Sequence, residues 1–112
     1  MKRIILSLVL TIIISPTMVK SQTVVKQTAG REQLGDFAPK FAELNDDVLF
    51  GEVWSRTDKL GLRDRSMITV TALVSSGITD SSLKYHLQSA KNNGITRTEI
   101  AEMLTQIGFY AG

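Results

Sequence analysis

The chain has 112 residues, one histidine and no cysteine, with 13 Lys and Arg against 11 Asp and Glu for a net charge of +2. That length holds one domain at most, and the lack of thiols excludes disulfides, thiolate catalysis and cysteine metal sites. Lys2, Arg3 and Lys20 lie in the first 21 residues and no acid does, so the pI near 9.1 belongs to that segment; the remainder carries ten bases against eleven acids, net −1, with no basic patch to suggest nucleic acid.

Residues 1–21 read as an export signal. A basic start (Lys2, Arg3) leads into an apolar run from Ile4 to Ile14, a breaker at Pro16, and Val19 and Ser21 at the −3 and −1 positions of a cleavage site. The run is shorter than the ~20 apolar residues a spanning helix needs. A signal peptide, an exported (periplasmic or secreted) product starting at Gln22 and no membrane anchor after cleavage are expected. A mature chain of about ninety residues buries only a modest core, so self-association is expected as well.

Residues 22–30 are polar and aperiodic, an extended lead-in to a domain over 31–112. Leu34, Phe37, Phe41 and Leu44 recur at helical spacing across Gly35 and Pro39, which fits two short helices better than one. Asn45, Asp46 and Asp47 are N-cap candidates for a further helix, on which Leu49, Glu52, Val53 and Arg56 share one side. Ser66–Ser76 is apolar or neutral throughout; despite its β-branched residues it is too long for a strand and reads as a buried helix, with Asp64 as its cap. Another helix starts at Asp80 or Ser81 and stops at Asn93-Gly94, where glycine supplies positive φ. Thr96 and Glu99 form a capping-box pattern ahead of Ile100, Met103, Leu104 and Ile107. The fold class is all-α, with five or six short helices.

Leu83, His86, Leu87 and Ala90 stand at i, i+3, i+4 and i+7, which puts the lone histidine in an apolar stripe. It is either a satisfied core histidine or a general acid/base. Glu52 falls on a stripe expected to face the core; it either pairs with Arg56 one turn on or orients an imidazole. Arg63 reads as solvated surface, whereas Arg65, inside the apolar helix, wants a carboxylate from protein or substrate. Ser82 stands one turn before His86 and could hydrogen-bond to it, but lacks a third orienting group. Trp54 and Tyr110 are packing residues or site walls. No metal site is expected, since one histidine cannot supply the usual ligand set.

Two stretches carry a resemblance. "DVLFGEVWSRTDKLGLRDRSMITVTALVSSG" and "LKYHLQSAKNNGITRTEIAEMLTQIGFYAG" resemble the carboxymuconolactone decarboxylase family. The second is the more specific, with H-x3-A-x3-G-x-T-x2-E-I-x-E-x-L from His86 to Leu104 and then Tyr110-Ala111-Gly112. The resemblance covers Arg31 to Gly112 and implies an alkylhydroperoxidase-D-like helical bundle that assembles as a homotrimer or hexamer. It also implies a further helix beyond the Tyr-Ala-Gly, which this sequence does not include.

The thiol-peroxidase branch of that family has a Cys-x-x-Cys pair, which aligns on Thr79 and Ser82; neither can form a thiolate or a disulfide. The other branch decarboxylates 4-carboxymuconolactone without a cofactor. Carried across by position, the resemblance makes His86 the proton donor and Glu52 its partner or a second acid/base. Arg65 would hold a carboxylate, beside Arg56 and Ser82, with Trp54 and Tyr110 forming the wall. The ligand would be a small carboxylate or lactone. A non-catalytic module binding a small carboxylate on the same scaffold is the alternative, and peroxidase activity a disfavoured third reading.

Overall fold

The computed structural model describes residues 26–111. The expected export signal, with residues 22–25 of the lead-in, lies outside them. The described residues form helices and loops without strands: α1 (Ala29–Leu34), α2 (Pro39–Glu43), a π-helical segment (Leu44–Val53), α3 (Leu62–Ser75), α4 (Ser81–Asn92) and α5 (Arg97–Ile107). None of these helices is long and apolar enough to cross a membrane.

The break between α1 and α2 falls where Gly35 and Pro39 put it, with Pro39 as the first helical residue of α2. No break follows at Asn45–Asp47. Leu44 keeps helical dihedrals, and the helix continues from α2 with a wider turn, closed at its end by Trp54 N–H donating to Leu49 O at 3.0 Å. Such i→i+5 turns are rare and gather at functional sites.

Asp46 therefore does not cap its own helix; it caps α1. Thr28, the residue ahead of α1, gives its hydroxyl to Glu32 Oε1 at 2.7 Å and leaves the first amides of α1 without a local acceptor. Asp46 Oδ1 accepts from Gly30 N at 2.9 Å and Asp46 Oδ2 from Arg31 N at 3.0 Å. These are the donors a local N-cap side chain would satisfy, and the carboxylate also suits the positive end of the helix. The Asp46 side chain is fully buried, and Arg31 reaches back to it at 3.4 Å while gripping Asp47 at 2.7 Å. Burial alone would push the Asp46 carboxyl up, but donors from Asn45, Arg31 and Gly30 and the Arg31 charge hold it below 3.8.

The second half has its own core. Val70, Ala90, Ile95 and Met103 are buried, with Met67, Val74, Leu83, Ile100 and Ile107 packed around them. Asn93 Nδ2 donates to the buried Ser66 Oγ at 2.9 Å and ties the end of α4 to α3. α4 is capped by Asp80, whose carboxylate accepts from Ser82 N, and the capping box of α5 is complete: Glu99 N donates to Thr96 Oγ1, and Thr96 N to Glu99 Oε1. Gly77 (φ +71°) and Gly94 (φ +90°) end α3 and α4 in the left-handed region.

α3 is not buried all round. It is capped by Gly61 rather than Asp64, and only Ser66 and Val70 are fully enclosed, while Ile68 is 57% exposed. Thr69 and Thr71 turn their hydroxyls onto Arg65 O and Met67 O within the helix. That satisfies polar groups on an element whose composition alone suggested complete burial.

The close approach at Gly30 gives a test. A Cβ there would stand 2.6 Å from Asp46 Oδ1 and 2.9 Å from Ala42 O. Gly30→Ala should cost about 1–3 kcal/mol through this overpacking, read as a lower thermal midpoint. An unchanged midpoint would mean that α1 is not seated on the π segment as described.

Candidate active site

α1, α2 and the π segment pack on one another. The π segment meets α4 through Phe50 and Trp54 against Tyr85 and His86, with Leu73 of α3 also lining the space between. A cavity of about 410 Å³ lies between them. Its wall on α4 carries Ser81, Ser82, Tyr85 and His86, and the π segment contributes Leu49 and Phe50. Gln27, from the lead-in, stands on the opposite rim and donates from Nε2 to the Tyr85 hydroxyl.

His86 sits in a cluster of rings. Phe50 and Trp54 lie nearly parallel to the imidazole, with centroids 6.2 and 5.8 Å away and interplanar angles of 10° and 15°. Phe50 and Trp54 also stack on each other at 6.2 Å. Tyr85 meets the imidazole edge-on at 5.0 Å and 87°. Offset and edge-to-face pairs of this kind are worth ~0.5–1.5 kcal/mol each beyond their buried area. They hold the ring in place without hydrogen bonds.

The electrostatic consequence is direct. His86 Nδ1 is buried without a hydrogen-bond partner among the described residues, so Nε2 is the nitrogen left to meet a ligand in the cavity that His86 lines. Burial among apolar rings disfavours the charged imidazolium and lowers the His86 pKa below the ordinary 6.5. A neutral imidazole one proton transfer away from charge is the equipment of an acid/base site.

The structure brings together three of the residues singled out in the sequence. His86 and Ser82 share the α4 wall one turn apart, and Trp54 backs the imidazole with 8% exposure. Trp54 itself stands behind the cavity lining, and four others lie outside it. Glu52 is exposed and makes no ion pair with Arg56 among the described residues. Leu49 and Val53, the apolar residues of the stripe expected to bury it, are themselves 41% exposed, so that side does not face a closed core in the single chain.

Arg65 has no carboxylate partner among the described residues. Its Nε donates to Leu60 O at 3.0 Å and its Nη2 to Arg56 O at 2.9 Å, bracing the loop before α3. Arg56 is exposed, and Tyr110 is 83% exposed near the end of the chain. Arg63, read as free surface, pairs with Glu99. Sequence reasoning passed over Phe50, Tyr85 and Gln27. Phe50 stands four residues before Trp54 and Tyr85 next to His86, which is signal enough to mark an aromatic cluster; nothing local marks Gln27.

Two titrations check the His86 environment. Since the folded pKa lies below 6.5, stability is complete above 6.5 and falls as pH drops from there through the folded value. Thermal midpoints should follow that curve in the wild type and lose it over that window in His86→Phe. Trp54, the only tryptophan, should change its emission with the same midpoint. A midpoint at or above 6.5 would contradict the buried imidazole.

Comparison with known proteins agrees with this architecture. The pattern of the Carboxymuconolactone decarboxylase family matches residues 39–112. A 4-carboxymuconolactone decarboxylase of Acinetobacter baylyi is 37% identical over 81 residues, spanning 72% of this chain and 59% of the relative. The chain thus covers about three-fifths of the length of the curated relative it matches. No solved structure matches it. The helices around His86, and the match through them, show that this chain belongs to the carboxymuconolactone decarboxylase family.

Proposed function

We propose that this chain catalyses the cofactor-independent decarboxylation, or a related isomerisation, of a small carboxylated lactone, with His86 as general acid. The observation that carries the reading is the lone imidazole on the cavity wall, held by Phe50, Trp54 and Tyr85 with Nε2 open. The likeness to a relative named 4-carboxymuconolactone decarboxylase supports the choice of substrate class.

The step balances without an external electron acceptor. The bond between ring carbon and carboxylate breaks, CO2 leaves, and the electron pair passes into the unsaturated lactone as an enolate. The His86 imidazolium then gives its proton to ring carbon, and solvent reprotonates the imidazole. Ser82, one turn before His86, lies where it can hydrogen-bond the substrate.

The reading includes a homotrimer or hexamer. Phe37, Phe41, Phe109 and Tyr110 are 89, 60, 87 and 83% exposed in the single chain, rings that association would cover. Assembly is also how Glu52, Arg56 and Tyr110, exposed in the single chain, would reach the cavity mouth of another copy, where Arg56 would meet the substrate carboxylate. The expected signal over 1–21 supports a reaction outside the cytoplasm, in the periplasm or secreted.

The test is CO2 release from 4-carboxymuconolactone by wild type and His86→Ala, with circular dichroism to confirm that both are helical. Turnover in the wild type should vanish in the mutant. Because the acid form of His86 is scarce above its lowered pKa, the rate should fall as pH rises through a midpoint below 6.5. Turnover that survives in a folded His86→Ala would overturn the proposal.

A further inference from the structure

Loss of CO2 places negative charge on the lactone, and most of it resides on the carbonyl oxygen of the enolate. His86, committed to protonating carbon, leaves that oxygen unattended. Hydrogen-bond donors preorganised at the position of a developing oxyanion are commonly the largest single contribution to such a reaction. The cavity wall holds one beside the imidazole.

We propose that Tyr85 is a second catalytic residue, whose hydroxyl donates to the lactone carbonyl oxygen and stabilises the enolate, and that Gln27 is the residue that positions it. This rests on the lactone reading of the same cavity. A phenol has one hydrogen to give and lone pairs to receive. Gln27 Nε2 donates to the Tyr85 oxygen, and among the described residues the Tyr85 hydroxyl donates to no acceptor. Its hydrogen is therefore free for a ligand, and a donor already bonded to the oxygen polarises the O–H further.

Two ring contacts orient the phenol. Tyr85 is packed edge-on against His86 at 5.0 Å and against Phe50 at 6.2 Å, with angles of 87° and 85°. Tyr85 and His86 are successive residues of α4, and both line the cavity, so one small ring can meet the phenol at its carbonyl and the imidazole at a neighbouring carbon. Gln27 comes to its place through the fold. It lies three residues before Gly30, whose amide is fixed by Asp46, so the clamp that seats α1 also brings Gln27 to the rim.

Two measurements on Tyr85→Phe, which keeps the ring packing and removes only the hydroxyl, test the assignment. In the first, turnover of 4-carboxymuconolactone should show kcat reduced about a hundredfold to a thousandfold with KM little changed. The pH profile set by His86 should stay as in the wild type, and Gln27→Ala should show a smaller loss of kcat in the same direction.

In the second, isotope-edited infrared spectra of bound γ-butenolide, an uncharged lactone, should show a carbonyl stretch at higher frequency in Tyr85→Phe than in the wild type. This arm needs no turnover. If the wild type proves inactive, a Tyr85-dependent carbonyl shift still supports the hydrogen bond and only the decarboxylase reading falls. A carbonyl stretch identical in the two proteins, or wild-type kcat in Tyr85→Phe, overturns the role of Tyr85.

Discussion

The buried carboxylate of Asp46 is the interaction on which the rest of the site depends. A charged side chain with no exposed surface is tolerable only if its lone pairs are filled. Here Gly30 N, Arg31 N, Asn45 Nδ2 and the Arg31 guanidinium fill them. One carboxylate thereby does what a local cap would do for α1 and fastens α1 to the π segment sixteen residues later. Without it a helix of six residues has little reason to persist, because helices that short are unstable alone. Gln27 and the α1 wall of the cavity go with it.

The π turn sets the second constraint. The widened helix over Leu44–Val53 carries Phe50 and Trp54, which lie on His86 as near-parallel rings, while Glu52 is exposed. The imidazole is consequently held by shape rather than by a carboxylate. A histidine oriented by a glutamate would have its pKa raised; this one has it lowered by burial. In the proposed reaction this exchanges abundance of the acid form for its strength. A more acidic imidazolium gives up its proton to carbon more readily, and an adjacent donor for the carbonyl oxygen makes the carbanion less basic in turn.

Most helix boundaries were legible because their signals are local. Pro39 at the start of α2, Asp80 ahead of α4, the Thr96–Glu99 box and glycines at 77 and 94 act within a turn of where they stand. That His86, Ser82 and Trp54 lie near one another was legible for related reasons, through helical spacing, aromatic character and the family pattern. What failed was non-local. Asp46 looks like a cap for the helix it belongs to, and nothing nearby reveals that α1 needs it more. Glu52 was misplaced because apolar spacing marks a shared side but not whether a neighbour closes over it, and Leu49 and Val53 on that side are 41% exposed. Arg65 was expected to seek an anion, but two carbonyls of a preceding loop were close enough to satisfy it.

The central claim is that the open nitrogen of His86 faces the ligand while the other stays sealed. With one histidine in the protein, long-range proton–nitrogen correlation NMR reads a single imidazole without assignment. Spectra with and without a saturating unsaturated lactone should show Nε2 shifting on binding while Nδ1 keeps the signature of a buried, unbonded nitrogen. A ligand that binds and leaves both nitrogens unmoved, or moves Nδ1 alone, would contradict the account.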